Sequence, residues 1–214
     1  MKDTLKGRFD SIIFDLDGTL WDATTSVAHA WQSAKEQVDF VEVDITPADV
    51  AGIAGLPYDA IYDKLFPELS YEERAEFKEI CAKKELEVLA EKGGVLYPEL
   101  EETLQYLSAS YQLFIVSNCQ RGYIELFLEK YNLEEYFIGH RCYGTSNLPK
   151  ADNIKAVVDE YELKAPVYVG DTIWDFEFSE KAGVPFIYAG FGFGKVGEGA
   201  IAEIHKFSEL SRIL

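Results

Sequence analysis

The stretch FDLDGTL, residues 14–20, decides how this chain is to be read. An apolar run, Ile12-Ile13-Phe14, has the composition of a buried strand. It leads directly into Asp15 and Asp17, followed by Gly18-Thr19. Acidic residues are depleted in strands and are seldom buried without a partner. Two carboxylates, two residues apart, at the end of a hydrophobic strand (residues 10–17) therefore demand a counter-charge or a chemical use.

Outward from that strand the pattern changes. Val27, Trp31, Ala34 and Val38 recur at helical spacing. Thr46-Pro47 offers an N-cap with proline at the first helical position. Ser70 and Glu73 form a capping box that opens a long charged helix, which Gly93-Gly94 ends. Charge runs such as YEERAEFKE, residues 71–79, read as a solvated helix face. No strand is expected between Asp22 and Lys92. From Pro98 onward helices and strands alternate: helices at residues 98–107, 123–131, 153–161 and 175–182, strands at 112–116, 137–143, 166–169 and 185–188. Such alternation implies a parallel sheet covered on both faces. The expected fold is α/β: a Rossmann-like parallel sheet core, residues 1–20 and 95–214, with a small all-helical cap, residues 21–94, inserted after the first strand.

The 214 residues carry 20 Lys and Arg against 38 Asp and Glu, a net charge of −18, and 48% are hydrophobic. That is enough apolar sequence for an ordered core. It offers no basic face for a nucleic acid or an anionic membrane. A small anionic substrate would need a metal or local positive charge to enter. Cys81, Cys119 and Cys142 are odd in number and lack the C-x-x-C spacing, so each reads as a buried or half-buried apolar residue, in keeping with a reducing cytoplasm. Lys2, Lys6 and Arg8 precede an apolar run that is too short for a signal peptide or a membrane span. His29, His140 and His205 show no metal-ligand spacing.

Ligands of open parallel sheets bind at the carboxyl ends of the strands. After the first apolar run come Asp15, Asp17 and Thr19. LFIVSN supplies Ser117 and Asn118, VYVGDTIWD supplies Gly170, Asp171 and Asp175, and Lys150 sits where a loop enters a helix. Singly, each has a plain structural explanation: a turn after a strand, an N-cap, a surface lysine. A calcium loop fails, because Thr19 and Leu20 stand where D-x-[DN]-x-[DN]-G needs an Asp or Asn and a glycine. Together these residues converge on one edge. Carboxylates within ~4 Å of each other repel by about 4 kcal/mol per pair at an effective dielectric of about 20, so the cluster needs a cation. Oxygen ligands without histidine or cysteine suit Mg²⁺ better than zinc, and Mg²⁺ also takes phosphate oxygens. Lys150, Ser117 and Asn118 can bind the remaining phosphate oxygens.

In this order, Asp15-x-Asp17-Gly18-Thr19, Ser117, Lys150 and Gly170-Asp171-x-x-x-Asp175 resemble the four motifs of the haloacid dehalogenase superfamily. The chain is similar to the phosphatase branch whose helical cap follows the first motif, the phosphoglycolate phosphatase and β-phosphoglucomutase group. The resemblance implies that Asp15 is the nucleophile, forming an aspartyl-phosphate, and that Asp17 is first general acid and then general base. It implies Mg²⁺ held by Asp15, the backbone carbonyl of Asp17, and Asp171, with Asp175 and Thr19 in support and Ser117, Asn118 and Lys150 on phosphate. Asp17 favours phosphoryl transfer over carbon–halogen cleavage, since dehalogenases lack the second aspartate. One departure is that Pro149 precedes the lysine and Ala151 follows it, where many relatives place proline after it.

The expected activity is therefore Mg²⁺-dependent hydrolysis of a small phosphorylated metabolite by a cytoplasmic monomer or weak homodimer, without nucleic-acid or membrane partners. Two alternatives stand beside it. One is a sugar-phosphate mutase like β-phosphoglucomutase, from which Gly18-Thr19 leans away. The other is a non-catalytic regulatory or binding protein that keeps the fold. AGIAGLPYD, residues 51–59, is read as a loop dipping toward the site, and the glycine-rich segment 189–199 as a loop rimming it.

Overall fold

The computed structural model describes residues 5–214, apart from the side chains of residues 58 and 59. Residues 1–4, which include Lys2, lie outside the described set. The sheet strands are β1 (Ser11–Phe14), β4 (Gln112–Ser117), β5 (Gly139–Cys142), β6 (Pro166–Gly170), β7 (Phe186–Ala189) and β8 (Ala202–Ile204). They form one parallel sheet in the order β5-β4-β1-β6-β7-β8. A two-stranded antiparallel ribbon joins β2 (Trp21–Asp22) to β3 (Val95–Leu96). Between the ribbon strands run α1 (Thr24–Lys35), α2 (Pro47–Ala51), α3 (Tyr58–Leu65) and α4 (Tyr71–Lys92). The remaining helices are α5 (Leu100–Ser108), α6 (Tyr123–Tyr131), α7 (Tyr143–Ser146), α8 (Lys150–Glu160), α9 (Ile173–Ala182) and α10 (Leu210–Ile213).

Two-residue periodicity splits the strand side chains between the faces of the sheet. Ile12, Phe14, Leu113, Ile115, Val167 and Val169 belong to one buried cluster, with Leu104, Leu107, Phe127 and Leu210 from α5, α6 and α10. Ile13, Phe114, Val116 and Tyr168 belong to the other, with Ile154 and Val157 of α8. The sheet is thus covered on both sides, as an all-parallel sheet requires. The inserted helices build their own aromatic contacts. Trp31 and Tyr62 ring centroids lie 5.5 Å apart, and Phe66 meets Phe77 edge-on at 5.1 Å. Among the described residues no helix is long and apolar enough to cross a membrane.

The helix starts at Thr46 and Ser70 both carry capping boxes, closed by Asp49 and Glu73 respectively. Other boundaries differ from the sequence reading. The first strand stops at Phe14 rather than running to residue 17, because Leu16 O already accepts from Leu20 N at 2.9 Å and the chain turns. Helix α1 ends at Lys35, short of Val38, with Gln37 N and Val38 N bonding three residues back in a tightened last turn. Helix α8 starts at Lys150 instead of residue 153. The ribbon, α7, β8 and α10 were not expected; each is two to four residues long, too short for a periodic signal.

Candidate active site

The connection leaving β1 goes to β4 on one side, while that leaving β6 goes to β7 on the other. The topological switch point therefore falls between β1 and β6, where ligands of such sheets bind. Asp15 follows β1 and Asp171 follows β6. Asp15 N donates to Val169 O at 2.9 Å, carrying the ladder one residue past the strand.

At this edge one carboxylate oxygen each from Asp15, Asp171 and Asp175 lies within 4.8 Å of the others, all three residues buried. Lys150, 1% exposed at the first position of α8, donates from Nζ to Asp15 Oδ1 at 2.6 Å and to Asp175 Oδ1 at 2.5 Å. Its ammonium also lies 5.4 Å from the centroid of the Tyr168 ring. Asp175 is the third residue of α9 and closes a capping box. Its Oδ2 accepts from Thr172 N at 2.9 Å and Thr172 Oγ1 at 2.6 Å. The turn-plus-N-cap explanation of GDT thus holds, and the same carboxylate also faces the site. Asp171 accepts from Phe193 N at 2.8 Å and, weakly, from Thr19 Oγ1 at 3.4 Å. Gly18 has φ +83, and a Cβ there would run into the Asp171 carboxylate. Only glycine lets the first loop approach so closely.

Asp17 turns its side chain elsewhere. Its Oδ1 accepts from Trp21 Nε1 at 2.9 Å and from the Tyr123 hydroxyl at 2.8 Å. Asp175, and not the Asp17 carboxylate, is the third acidic side chain of the cluster. Asp15, Asp17, Ser117, Asn118 and Lys150 nevertheless line one cavity of about 90 Å³. Val27, Trp31, Ile53, Leu56 and Glu85 of the inserted helices line it too. Asn118 spends its amide on the loop after α2, donating to Gly55 O at 3.1 Å and Leu56 O at 3.3 Å. Of the stretch 51–59 read as a loop dipping toward the site, Ile53, Ala54, Gly55 and Leu56 line the cavity, and the side chains of residues 58 and 59 lie outside the described set; Phe193 brings the glycine-rich loop to the same cavity.

Burial raises Asp15 to about 6, helped by Asp175 and opposed by Lys150. Burial, followed by the Asp15 charge, raises Asp17 to about 7, against the pull of the Tyr123 and Trp21 hydrogen bonds. Asp171 is held well above the carboxylate range by burial and by the charges of Asp175 and Asp15. Burial would pull Lys150 down, but Asp15 and Asp175 overcome it and hold the ammonium charged. Lys150 satisfies two of the three clustered acids. Among the described residues Asp171 has no ion-pair partner. An all-oxygen donor set with one buried, uncompensated carboxylate fits a hard divalent cation such as Mg²⁺. Sequence reasoning missed Tyr123, Phe193 N and Glu85; only the glycine-rich run hinted at the second of these.

Residues 12–189 match the family described as haloacid dehalogenase-like hydrolase. A phosphoglycolate phosphatase from Aquifex aeolicus is 31% identical over 196 residues, covering 86% of each chain. A haloacid dehalogenase-like hydrolase from Streptococcus pneumoniae superposes with a TM-score of 0.81 at 21% identity, over 95% of this chain and 97% of that one. A predicted phosphoglycolate phosphatase from Haemophilus somnus gives 0.81 at 21% identity, over 97% and 99%. At these identities the two solved structures bear on the fold alone.

Proposed function

The chain belongs to the haloacid dehalogenase-like hydrolase family, and on that premise we propose that it is a Mg²⁺-dependent phosphatase of small phosphorylated metabolites, working through an aspartyl-phosphate. The observation that carries this reading is the distribution of charge. Lys150 forms ion pairs with Asp15 and Asp175, and among the described residues Asp171 is in no ion pair, while burial and the charges of Asp175 and Asp15 outweigh the more distant pull of Lys150.

Asp15, Asp171 and the backbone carbonyl of Asp17 would hold the cation, with Asp175 in support. Bound there, Mg²⁺ would offset the negative charge of the transferring phosphoryl group. Asp15, with one oxygen fixed by Lys150, would attack phosphorus with the other. The phosphorus–oxygen bond to the leaving group breaks as that oxygen takes a proton from Asp17. Water then attacks the phospho-aspartate while Asp17 takes its proton, which regenerates Asp15 and releases phosphate. The hydrogen bonds from Trp21 and Tyr123 fix the Asp17 carboxyl for both steps. Positioned acid–base help of this kind typically contributes ~10²–10⁴-fold, and the covalent step splits one displacement into two. Ser117 and the exposed N–H groups at the loop turns would bind the other phosphate oxygens.

Residues 21–94 would act as the lid. Segment 51–56, tied to Asn118, would close over the phosphate and exclude water. A cavity of about 90 Å³ is far below the several hundred Å³ of drug-sized sites, which favours a leaving group of a few heavy atoms. The test is phosphate release from a panel of small phosphate monoesters, 2-phosphoglycolate included, with Mg²⁺ and with chelator. Release that needs the metal and disappears in Asp15→Asn supports the reading. No release from any ester, or release from Asp15→Asn at the native rate, refutes it. A β-hexose 1-phosphate converted to the 6-phosphate without free phosphate would instead identify a mutase.

A further inference from the structure

We propose that Glu85 sets the substrate class, selecting phosphate monoesters of small uncharged alcohols and rejecting those whose leaving group carries a carboxylate. This rests on the phosphatase reading above and narrows it.

The cavity has a charged floor and an apolar roof. Asp15, Asp17 and Lys150 form the floor, and Val27, Trp31, Val50, Ile53, Leu56 and Ile61 close over them. Among the described residues Lys150 is the only cationic side chain lining the cavity, and its ammonium is engaged with Asp15 and Asp175. Among the described residues, the charged group in the roof is Glu85 of α4, 6% exposed. Its position is fixed from two sides. Trp31 Nε1 of α1 donates to Oε2 at 2.7 Å, and Gln120 Nε2 of the loop after β4 donates to Oε1 at 2.9 Å. Gln120 also donates to Ala82 O at 3.0 Å, so the carboxyl cannot swing out without breaking a contact between α4 and the sheet edge.

Each Glu85 oxygen has accepted one hydrogen bond and keeps a lone pair for a second. A substrate hydroxyl can supply that donor; a carboxylate cannot. A leaving-group carboxylate would face the ionised Glu85, and among the described residues the cavity lining offers no free cationic side chain to pair it. Specificity by an opposed like charge is as effective as an added attraction. Glu85 also joins α1 and α4 to the loop after β4, so the deciding measurement must be a discrimination ratio, which a merely structural role leaves unmoved.

The probes are 2-hydroxyethyl phosphate and 2-phosphoglycolate, which share a chain length and differ in a terminal hydroxymethyl or carboxylate. With Mg²⁺ at pH 8 or above, where Glu85 is ionised, the native protein is expected to use the first with a kcat/KM at least tenfold higher, and Glu85→Gln to narrow that ratio to within about threefold by gaining on 2-phosphoglycolate. Equal or better use of 2-phosphoglycolate by the native protein, or an unchanged ratio in a folded Glu85→Gln, overturns the proposal. Calorimetric binding of both esters to Asp15→Asn gives the same ratio without turnover and does not depend on the Glu85→Gln protein folding. Tighter or equal binding of 2-phosphoglycolate, or binding of neither ester, overturns the proposal too. Acetyl phosphate, which needs no leaving-group contact, reports separately on phosphoryl transfer. If it is hydrolysed and the ratio is absent, selection by Glu85 fails and the phosphatase reading survives.

Discussion

The Lys150 ammonium sits 2.6 Å from Asp15 Oδ1, in a pair whose side chains are 0% and 4% exposed. A second carboxylate, Asp175, holds the same ammonium from the other side. One buried cation therefore pairs with two buried anions, and among the described residues Asp171 is in no ion pair. Removing one partner from a buried ion pair typically costs about 3–5 kcal/mol, because the remaining charges stay desolvated. Lys150→Met is expected to lose stability of that order in urea unfolding at neutral pH, and to lose turnover with it. A loss below about 1 kcal/mol would show that the lysine does not hold the cluster together.

Asp15→Asn separates chemistry from folding. It removes the nucleophile and one negative charge, while Lys150 keeps Asp175. The expected outcome is a native circular dichroism spectrum and melting temperature with turnover reduced by four orders of magnitude or more, since the covalent route is closed. Asp17→Asn keeps the nucleophile and removes the proton carrier. With a good leaving group such as acetate it is expected to accumulate phospho-enzyme, seen as a mass increase on the intact protein. A phospho-enzyme that turns over at the native rate in Asp17→Asn would assign water activation to another group.

Metal binding has a thermal signature independent of catalysis. A cation that binds the folded chain alone stabilises it by about 2.7 kcal/mol at one hundred times its dissociation constant. For a chain of this size that corresponds to a rise in Tm of about 5–10 °C. Mg²⁺ is expected to produce such a rise and chelator to reverse it. Asp171→Asn should abolish the rise and melt higher than the native protein without metal, because it removes a carboxyl whose ionisation is opposed by burial and by two neighbouring carboxylates. A native-sized Mg²⁺ shift in Asp171→Asn would place the cation elsewhere.

The parts of the site legible in the sequence are those where chemistry interrupts a strong pattern. Asp15 and Asp171 stand at the ends of apolar strands, where a carboxylate has no local reason to be. Glu85 had no such contrast. It lies in KKELEV beside Glu87, and a charged helix reads as a wet face from end to end. Glu87 is on that face, paired with Lys84 at 2.7 Å, while Glu85 points inward to Trp31 and Gln120. Telling them apart requires knowing that residue 120, 35 positions away, approaches α4. The orientation of Asp17 was hidden for a similar reason. Tyr123 lies 106 positions later and reads as one more apolar residue of α6. The ribbon of β2 and β3, which pairs Trp21 with Leu96 and Asp22 with Val95, is two residues per strand and too short to leave a periodic signal.

Glu85 also predicts how stability changes with pH. Burial raises it from 4.5 to about 7, against the pull of the Gln120 and Trp31 hydrogen bonds. A carboxyl whose pKa is higher folded than unfolded binds its proton more tightly in the native state. Its contribution is therefore fully present below pH 4.5, declines as pH rises, and is gone above about pH 7. The difference between those pKa values corresponds to about 3 kcal/mol. The charged and titratable groups near it are Asp17 below, Tyr123 of α6 and Cys81 one turn earlier on α4. All three are also present in Glu85→Gln, which fixes the side chain in its neutral form. Subtracting the stability of the native protein from that of Glu85→Gln should give a value that rises by about 3 kcal/mol from pH 4.5 to pH 8, mostly below pH 7. Urea unfolding of both proteins across that range measures it. A flat difference would mean that Glu85 stays ionised in the fold, at the pKa it has in the unfolded chain.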